Sequence, residues 1–237
     1  MLLVRDITKK YDGHMAIDAI NFSVHENEVV GILGENGAGK TTLINLISSI
    51  IKPDSGEIIY DSYEYGTRKY KQKIGVALGG EVSLYERLTV KENIDFYSSL
   101  YGVHSSNPRI DKLKELLQFE EYIDKRTETL SRGMQQRVSI AISLVNDPDL
   151  LLFDEPTIGL DFSGQTIIRM LVQSLKRRGK KIIYSTNIIQ EAREICDRVL
   201  ILHKGHIIDF DTIENIEKKH GEKLEAVFFK IIKGEKS

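Results

Sequence analysis

The amino-acid sequence predicts an α/β fold on three observations. Strand-like and helix-like patterns alternate along the chain instead of falling into separate blocks. A continuous apolar run over residues 29–33 enters a glycine-rich turn, Gly34 to Gly39, and leaves it as a helical pattern over 40–51. Two more apolar runs, 150–153 and 181–184, bracket a helical stretch that carries Ile167, Ile168, Leu171 and Leu175 and stops at Gly179, forming a strand–helix–strand unit.

Taken in order, the 40–51 helix has apolar residues at 43, 44, 47, 50 and 51, and Pro53 and Gly56 end it. A strand is expected over 73–78. From about 82 to 147 the periodicity is helical throughout: Thr89 with Glu92 makes a capping box, Ile94, Tyr97 and Leu100 share a face, and Gly102 is a stop. Residues 110–122 continue helically with Leu113, Leu116 and Leu117 apolar. The stretch reads as a helical insertion, so 1–81 and 148–208 make one core and 209–237 a short tail with a charged helix and an apolar segment, 224–232.

Composition bounds the function. With 237 residues, 33 Lys or Arg and 35 Asp or Glu, the net charge is −2, which offers no general field for nucleic acid. Hydrophobic residues at 41% and charged residues at 29% fit an ordinary globular chain. No run reaches the roughly 18 apolar residues of a membrane span; the richest, 43–51, is broken by Asn45, Ser48 and Ser49. The opening MLLVRDITKKY meets Arg5 and Asp6 before a signal-length apolar segment develops, so export is not expected. The lone Cys196 and the lack of Cys/His spacing for zinc fit a reducing cytoplasm.

Gly34-Glu35-Asn36-Gly37-Ala38-Gly39-Lys40-Thr41 fits G-x-x-x-x-G-K-[ST] between strand and helix, the context its mechanism requires. Backbone N–H groups and the helix N-terminus would surround a β-phosphate, Lys40 would reach the β/γ-phosphates, and Thr41 would offer its hydroxyl to Mg²⁺. The plainer reading is a glycine-rich turn with a solvated lysine, which the flanking strand and helix argue against. Asp154 and Glu155 emerge at the C-terminal end of an apolar strand, where ligands bind in open α/β sheets. Asp154 would hold Mg²⁺ through water and Glu155 would polarise the attacking water, the plainer alternative being an acidic turn that caps the next helix. Leu130-Ser131-Arg132-Gly133-Met134-Gln135-Gln136-Arg137 opens another helix whose free N–H groups suit a γ-phosphate; a plain serine N-cap is the alternative.

Together these segments resemble the nucleotide-binding domain of ATP-binding cassette (ABC) transporters, export type, with 130–137 similar to that family's signature. The resemblance implies a P-loop NTPase (RecA-like) core with a mixed sheet, an N-terminal antiparallel β region and an inserted helical signature subdomain. It extends the ATP-binding set to Tyr11, in the position of an adenine-stacking aromatic with a surface tyrosine as the alternative, and to Thr42. It makes Asp161 the acid of a dimer-crossing loop, and it matches Glu191-Ala192 and Cys196-Asp197-Arg198 to a stretch after the last core strand. Two such domains would meet head to tail, as a homodimer or with another ATPase subunit, so that Ser131, Arg132, Gly133, Met134 and Gln135 complete the partner's site. The cofactors implied are ATP and Mg²⁺, and the partners are integral membrane permease subunits, which place the chain on the inner face of the cell membrane. A groove near 80–105 would receive a permease helix, with Tyr85, Phe96, Tyr97 and Tyr101 as contacts or, as an aromatic stripe more often is, as core.

Two positions depart from the family pattern. Gly80 stands where the family has a glutamine, with Glu81 beside it, and Asn187 stands where it has a histidine near the γ-phosphate. Asparagine donates a hydrogen bond but neither carries charge nor shuttles a proton. The expectation is retained ATP binding with slow hydrolysis, the alternative being that Asn187 and Glu81 compensate. The rival functions are a nucleotide-binding regulatory subunit with little turnover, or a non-transport cassette ATPase. A GTPase is disfavoured because Asn187 lacks the following Lys and Asp of a guanine motif.

Overall fold

The computed structural model describes residues 1–78, 84–104 and 107–233. Strands β1 (Leu2–Tyr11) and β2 (His14–Val24) form a hairpin, followed by β3 (Val29–Leu33), helix α1 (Lys40–Ile47) and β4 (Ser55–Tyr60). Helix α2 (Arg68–Gln72), β5 (Ile74–Leu78), α3 (Val90–Leu100), α4 (Pro108–Leu117) and α5 (Arg132–Ser143) come next. The chain then runs through β6 (Leu150–Asp154), α6 (Phe162–Arg177), β7 (Lys181–Thr186), α7 (Ile189–Ile195), β8 (Arg198–His203) and β9 (His206–Asp211). Helices α8 (Ile213–His220) and α9 (Leu224–Lys233) end the described chain.

Two sheets result: an antiparallel one ordered β2-β1-β4, and a mixed one ordered β5-β6-β7-β3-β8-β9, parallel except for the β8–β9 pair. The α/β expectation with an N-terminal antiparallel region therefore holds. The parallel strands are covered on both faces, which is why they read as unbroken apolar runs. Leu151 and Phe153 of β6 face a core shared with α3 to α6, while Leu150 and Leu152 face α1 and the antiparallel sheet. A third cluster packs α8 and α9 onto Val199 and Ile201 of β8.

Three boundaries differ from the sequence pattern. The helix expected over 40–51 ends at Ile47, because Ser49 turns left-handed at φ 59° and the N–H groups of Ile50 and Ile51 both return to the Asn45 carbonyl. The 110–122 helix is two pieces, since Gln118 caps α4 in the left-handed region and a short 3₁₀ turn follows at Glu120–Tyr122. Strand β7 runs two residues past 184, to Thr186, because it pairs with β3 and β6 at that end. The Thr89–Glu92 capping box is present in both directions, and Gly102 follows α3 at φ 69°. Gly80 and Glu81 lie outside the described residues.

Candidate functional site

In the sheet order, β7 separates β3 from β6, so the C-terminal ends of all three open onto one edge. Register pairs Leu33 with Thr186 and Asp154 with Ser185. The Gly34–Gly39 turn is anchored there by the Gly34 N–H on the Thr186 carbonyl at 3.4 Å. Gly39 must be glycine: its φ is 110°, and a Cβ would stand 2.7 Å from the Ala16 carbonyl oxygen of β2. The N-terminal hairpin thus presses directly on the turn. Beside it lies an open cleft of about 680 Å³ whose walls include Asn36, Gly37, Lys40, Thr41, Asp154 and Glu155. Thr42 and Gly39 also line the cleft.

Lys40 is 5% exposed, and its Nζ donates to the carbonyls of Gly34 (2.9 Å) and Glu35 (3.1 Å) and pairs with Glu155 Oε1 at 3.0 Å. A buried ammonium has three N–H donors, and here each finds an oxygen partner. Thr41 Oγ1 donates to Asp154 Oδ2 at 2.7 Å, and Ser185 Oγ donates to the other Asp154 oxygen. Because Thr41 spends its proton on Asp154, its lone pairs are left to face a hard cation, and a hydroxyl oxygen beside a carboxylate suits Mg²⁺. Glu155 sits at φ 47°, a left-handed conformation costly for a side chain with a Cβ, and its N–H is held by Ser185 Oγ (3.0 Å) and the Ser185 carbonyl (3.2 Å).

The other expected residues are more dispersed. Gly34 and Ala38 shape the turn from behind, Ala38 being buried. Glu35 pairs with His203 Nδ1 at 3.2 Å on β8. Asn187 is exposed and reaches Asn36 Oδ1 at 3.5 Å. Tyr11, 44% exposed at the end of β1, is outside the cleft lining, with Lys9 Nζ 5.7 Å from its ring centroid. Ser131 is exposed and N-caps α5 by accepting from the Met134 N–H at 3.3 Å, so the plain capping role is real. Gln135 donates to the Thr127 carbonyl at 2.8 Å and Met134 packs on the core. Arg132 crosses the face of Gly159, and a Cβ on Gly133 would be 3.1 Å from Leu160. Asp161 N-caps α6 through the Gly164 N–H at 2.7 Å. None of the five residues 131–135 lines the cleft.

Sequence reasoning gave no role to two polar groups. Ser185 holds both Asp154 and the Glu155 backbone, and Glu191, 8% exposed, gathers hydroxyls from three residues. Ser185 lies near the end of apolar β7 and Glu191 in the helix just after it, so position at a strand end was the available signal. A second groove of about 270 Å³ lies between the end of α1, β5 and helices α3 and α5, with Tyr97 and Tyr101 among its lining residues. Tyr85 and Phe96 are exposed beside it with ring centroids 4.9 Å apart, so none of the four rings belongs to the fully buried core. Asn93, wholly buried in α3, folds the preceding segment by accepting from the Tyr85 N–H at 2.8 Å. Among the described residues no helix is long and apolar enough to cross a membrane.

Residues 17–158 match the family model described as "ABC transporter". The chain is 38% identical to ABC transporter ATP-binding protein NatA of Bacillus subtilis, covering 99% of both chains. It is 35% identical to bacitracin transport ATP-binding protein BcrA of Bacillus licheniformis, over 93% of this chain and 72% of that one. Among solved structures, the ATP-binding subunit of an ABC transporter superposes with a TM-score of 0.89 at 27% identity over 98% of this chain and 99% of the other. A dimeric ATP-binding cassette in a post-hydrolysis state with ADP and Pi superposes with a TM-score of 0.81 at 28% identity over 90% and 98%.

Proposed function

The chain belongs to the ABC transporter family as an ATP-binding subunit, and from that premise we propose that it drives export by hydrolysing ATP at two sites formed head to tail between cassettes. The observation that carries the catalytic reading is the convergence of Lys40, Thr41, Asp154 and Glu155 on one cleft at the sheet edge. On ATP binding the phosphates would be met by the backbone N–H groups of 34–39 and by Lys40, whose charge is already held in place. Mg²⁺ would be held by Thr41 and, through water, by Asp154, and would neutralise charge on the β- and γ-phosphates. Glu155 would orient and polarise the attacking water as general base. A phosphate oxygen would take over its pairing with Lys40.

The exposed N-terminus of α5 at Ser131, which does not line its own cleft, supports completion of the site by a second cassette, either the same chain or a sister subunit. The groove bounded by Tyr97 and Tyr101, with Tyr85 and Phe96 exposed at its side, is the surface assigned to a membrane permease subunit, which would hold this chain at the inner membrane face. Export is the direction supported by relatives such as Nod factor export ATP-binding protein I of Burkholderia pseudomallei, 34% identical over 86% of this chain and 68% of that one.

Turnover is slow on this reading, because Asn187 supplies a neutral amide where the reaction gains from a charged or proton-carrying group. Steady-state phosphate release by the purified chain tests both claims. Glu155→Gln should abolish release while ATP binding persists, and Asn187→His should raise the rate by about tenfold or more. A wild type that turns over rapidly and gains nothing from histidine overturns the slow-turnover claim. A chain that binds ATP and releases no phosphate would instead support a regulatory subunit.

A further inference from the structure

We infer that Glu191 is a positioning residue for hydrolysis: a buried carboxylate that holds in register the two chain segments flanking the γ-phosphate site, an inference that rests on the ATPase reading above. Its Oε1 accepts from Thr157 Oγ1 at 2.5 Å. Its Oε2 accepts from Thr186 Oγ1 at 2.7 Å and from the Tyr184 hydroxyl at 3.4 Å. Thr157 lies two residues beyond Glu155 in the turn closed by the Ile158 N–H on the Glu155 carbonyl. Thr186 directly precedes Asn187, and its hydroxyl also accepts from the Ile188 N–H at 3.0 Å, so both sides of Asn187 are tied to one group.

The chemistry is unusual for a merely structural position. Glu191 and Thr157 are 8% and 7% exposed, Thr186 2% and Tyr184 0%, and among the described residues no cation pairs with the carboxylate. Desolvating an ionised carboxyl against three hydroxyls is expensive, and an apolar side chain would fill the space at lower cost if packing were the only requirement. What an apolar residue cannot do is accept from two separate segments at once. The carboxylate's own base is firm: on the same helix Arg193 bonds Glu217 of α8 and Glu225 of α9, and Glu194 pairs with Arg169 of α6 at 2.6 Å. Helix α7 thus carries the rigidity of its neighbours to Thr157 and Thr186. Displacements of about 1 Å at such flanks are enough to cost 10²-fold in rate.

The test compares Glu191→Ala, Thr157→Val and Thr157→Ser with the wild-type full chain. Glu191→Ala and Thr157→Val should lower kcat by about 10- to 100-fold with the KM for ATP within about twofold, since the phosphate loop is untouched. Thr157→Ser, which keeps the hydroxyl, should retain near wild-type kcat. Amide hydrogen exchange should accelerate in Glu191→Ala at 155–160 and 186–188 while residues 38–42, which do not bond to either segment through their amides, are unchanged. If Glu191→Ala folds poorly, Thr157→Val, nearly isosteric, decides. Unchanged exchange in both segments, a Thr157→Ser variant as slow as Thr157→Val, or kcat and KM falling out of step with this split overturns the inference. A wild type that releases no phosphate overturns the ATPase reading instead, and the exchange comparison still decides whether Glu191 fixes the two segments.

Discussion

At the scale of single residues, the site depends on side chains that satisfy one another before they satisfy a ligand. Ser185 illustrates this: one hydroxyl donates to Asp154, accepts from the Glu155 N–H, and so supports a left-handed backbone that a non-glycine residue adopts only under constraint. Replacing it with alanine leaves a buried Asp154 oxygen without its donor and leaves the Glu155 amide only the backbone carbonyl of residue 185. Ser185→Ala should therefore lose about 1–3 kcal/mol of stability, read as a lower midpoint in urea at unchanged m-value, and should raise the Mg²⁺ concentration needed for half-maximal turnover. A variant with unaltered midpoint and Mg²⁺ response contradicts this account. The sequence showed Asp154 and Glu155 because acidic residues after an apolar strand are conspicuous. Ser185 was hidden because serine is common at strand ends and only the pairing of β6 with β7 brings it opposite Asp154.

At the scale of elements, α1 has an end condition that its own sequence does not reveal. Its last carbonyls need donors, and tyrosine hydroxyls from outside the helix supply them: Tyr65 to Leu46 at 2.6 Å and Tyr70 to Ile47 at 2.5 Å, with Tyr65 also 3.1 Å from the Ile51 carbonyl beyond the helix end. Burial pushes the Tyr65 hydroxyl up to about 12 and Tyr70 further, because the phenolate is disfavoured away from water. A folded value above the unfolded one, near 10, means that the contribution is complete below pH 10 and is lost as pH rises toward and through the folded values. Stability measured by urea unfolding should thus fall between about pH 10 and 12, and the Tyr65→Phe, Tyr70→Phe double variant should be weaker at neutral pH by about 1–2 kcal/mol yet show a flatter alkaline decline. An equal decline in both proteins would sink the idea. Helix ends were the weak point of the sequence reading for the same reason. Apolar periodicity continued through Ile50 and Ile51, whereas Ser49 and these carbonyl caps stop the helix earlier, and at Gln118 a left-handed residue that is not glycine carried no conspicuous signal.

For the whole molecule, the proposed completion of each cleft by the α5 start of a second cassette predicts that function belongs to a pair of chains. In a head-to-tail pair, Lys40→Ala disables a chain's own phosphate loop and Ser131→Arg disables the site its partner provides, so either variant alone should be inactive. Mixed in equal amounts they should recover phosphate release, because one site in each mixed dimer joins an intact loop to an intact helix start. If each chain completed its own site, the mixture would stay dead. Much of this was already determined by sequence. Apolar runs and glycine–lysine spacing, together with carboxylates at a strand end, depend on local chemistry, and they carried the α/β class, the phosphate-loop turn and the acidic pair. What the tertiary structure alone decided is which separated groups meet: Ser185 beside Asp154, Thr157 on Glu191, Ala16 against Gly39, tyrosines on the end of α1. Those partnerships span long stretches of chain and arise only when parallel strands set their register, since a side chain's own sequence neighbours carry no record of what the sheet will place opposite it.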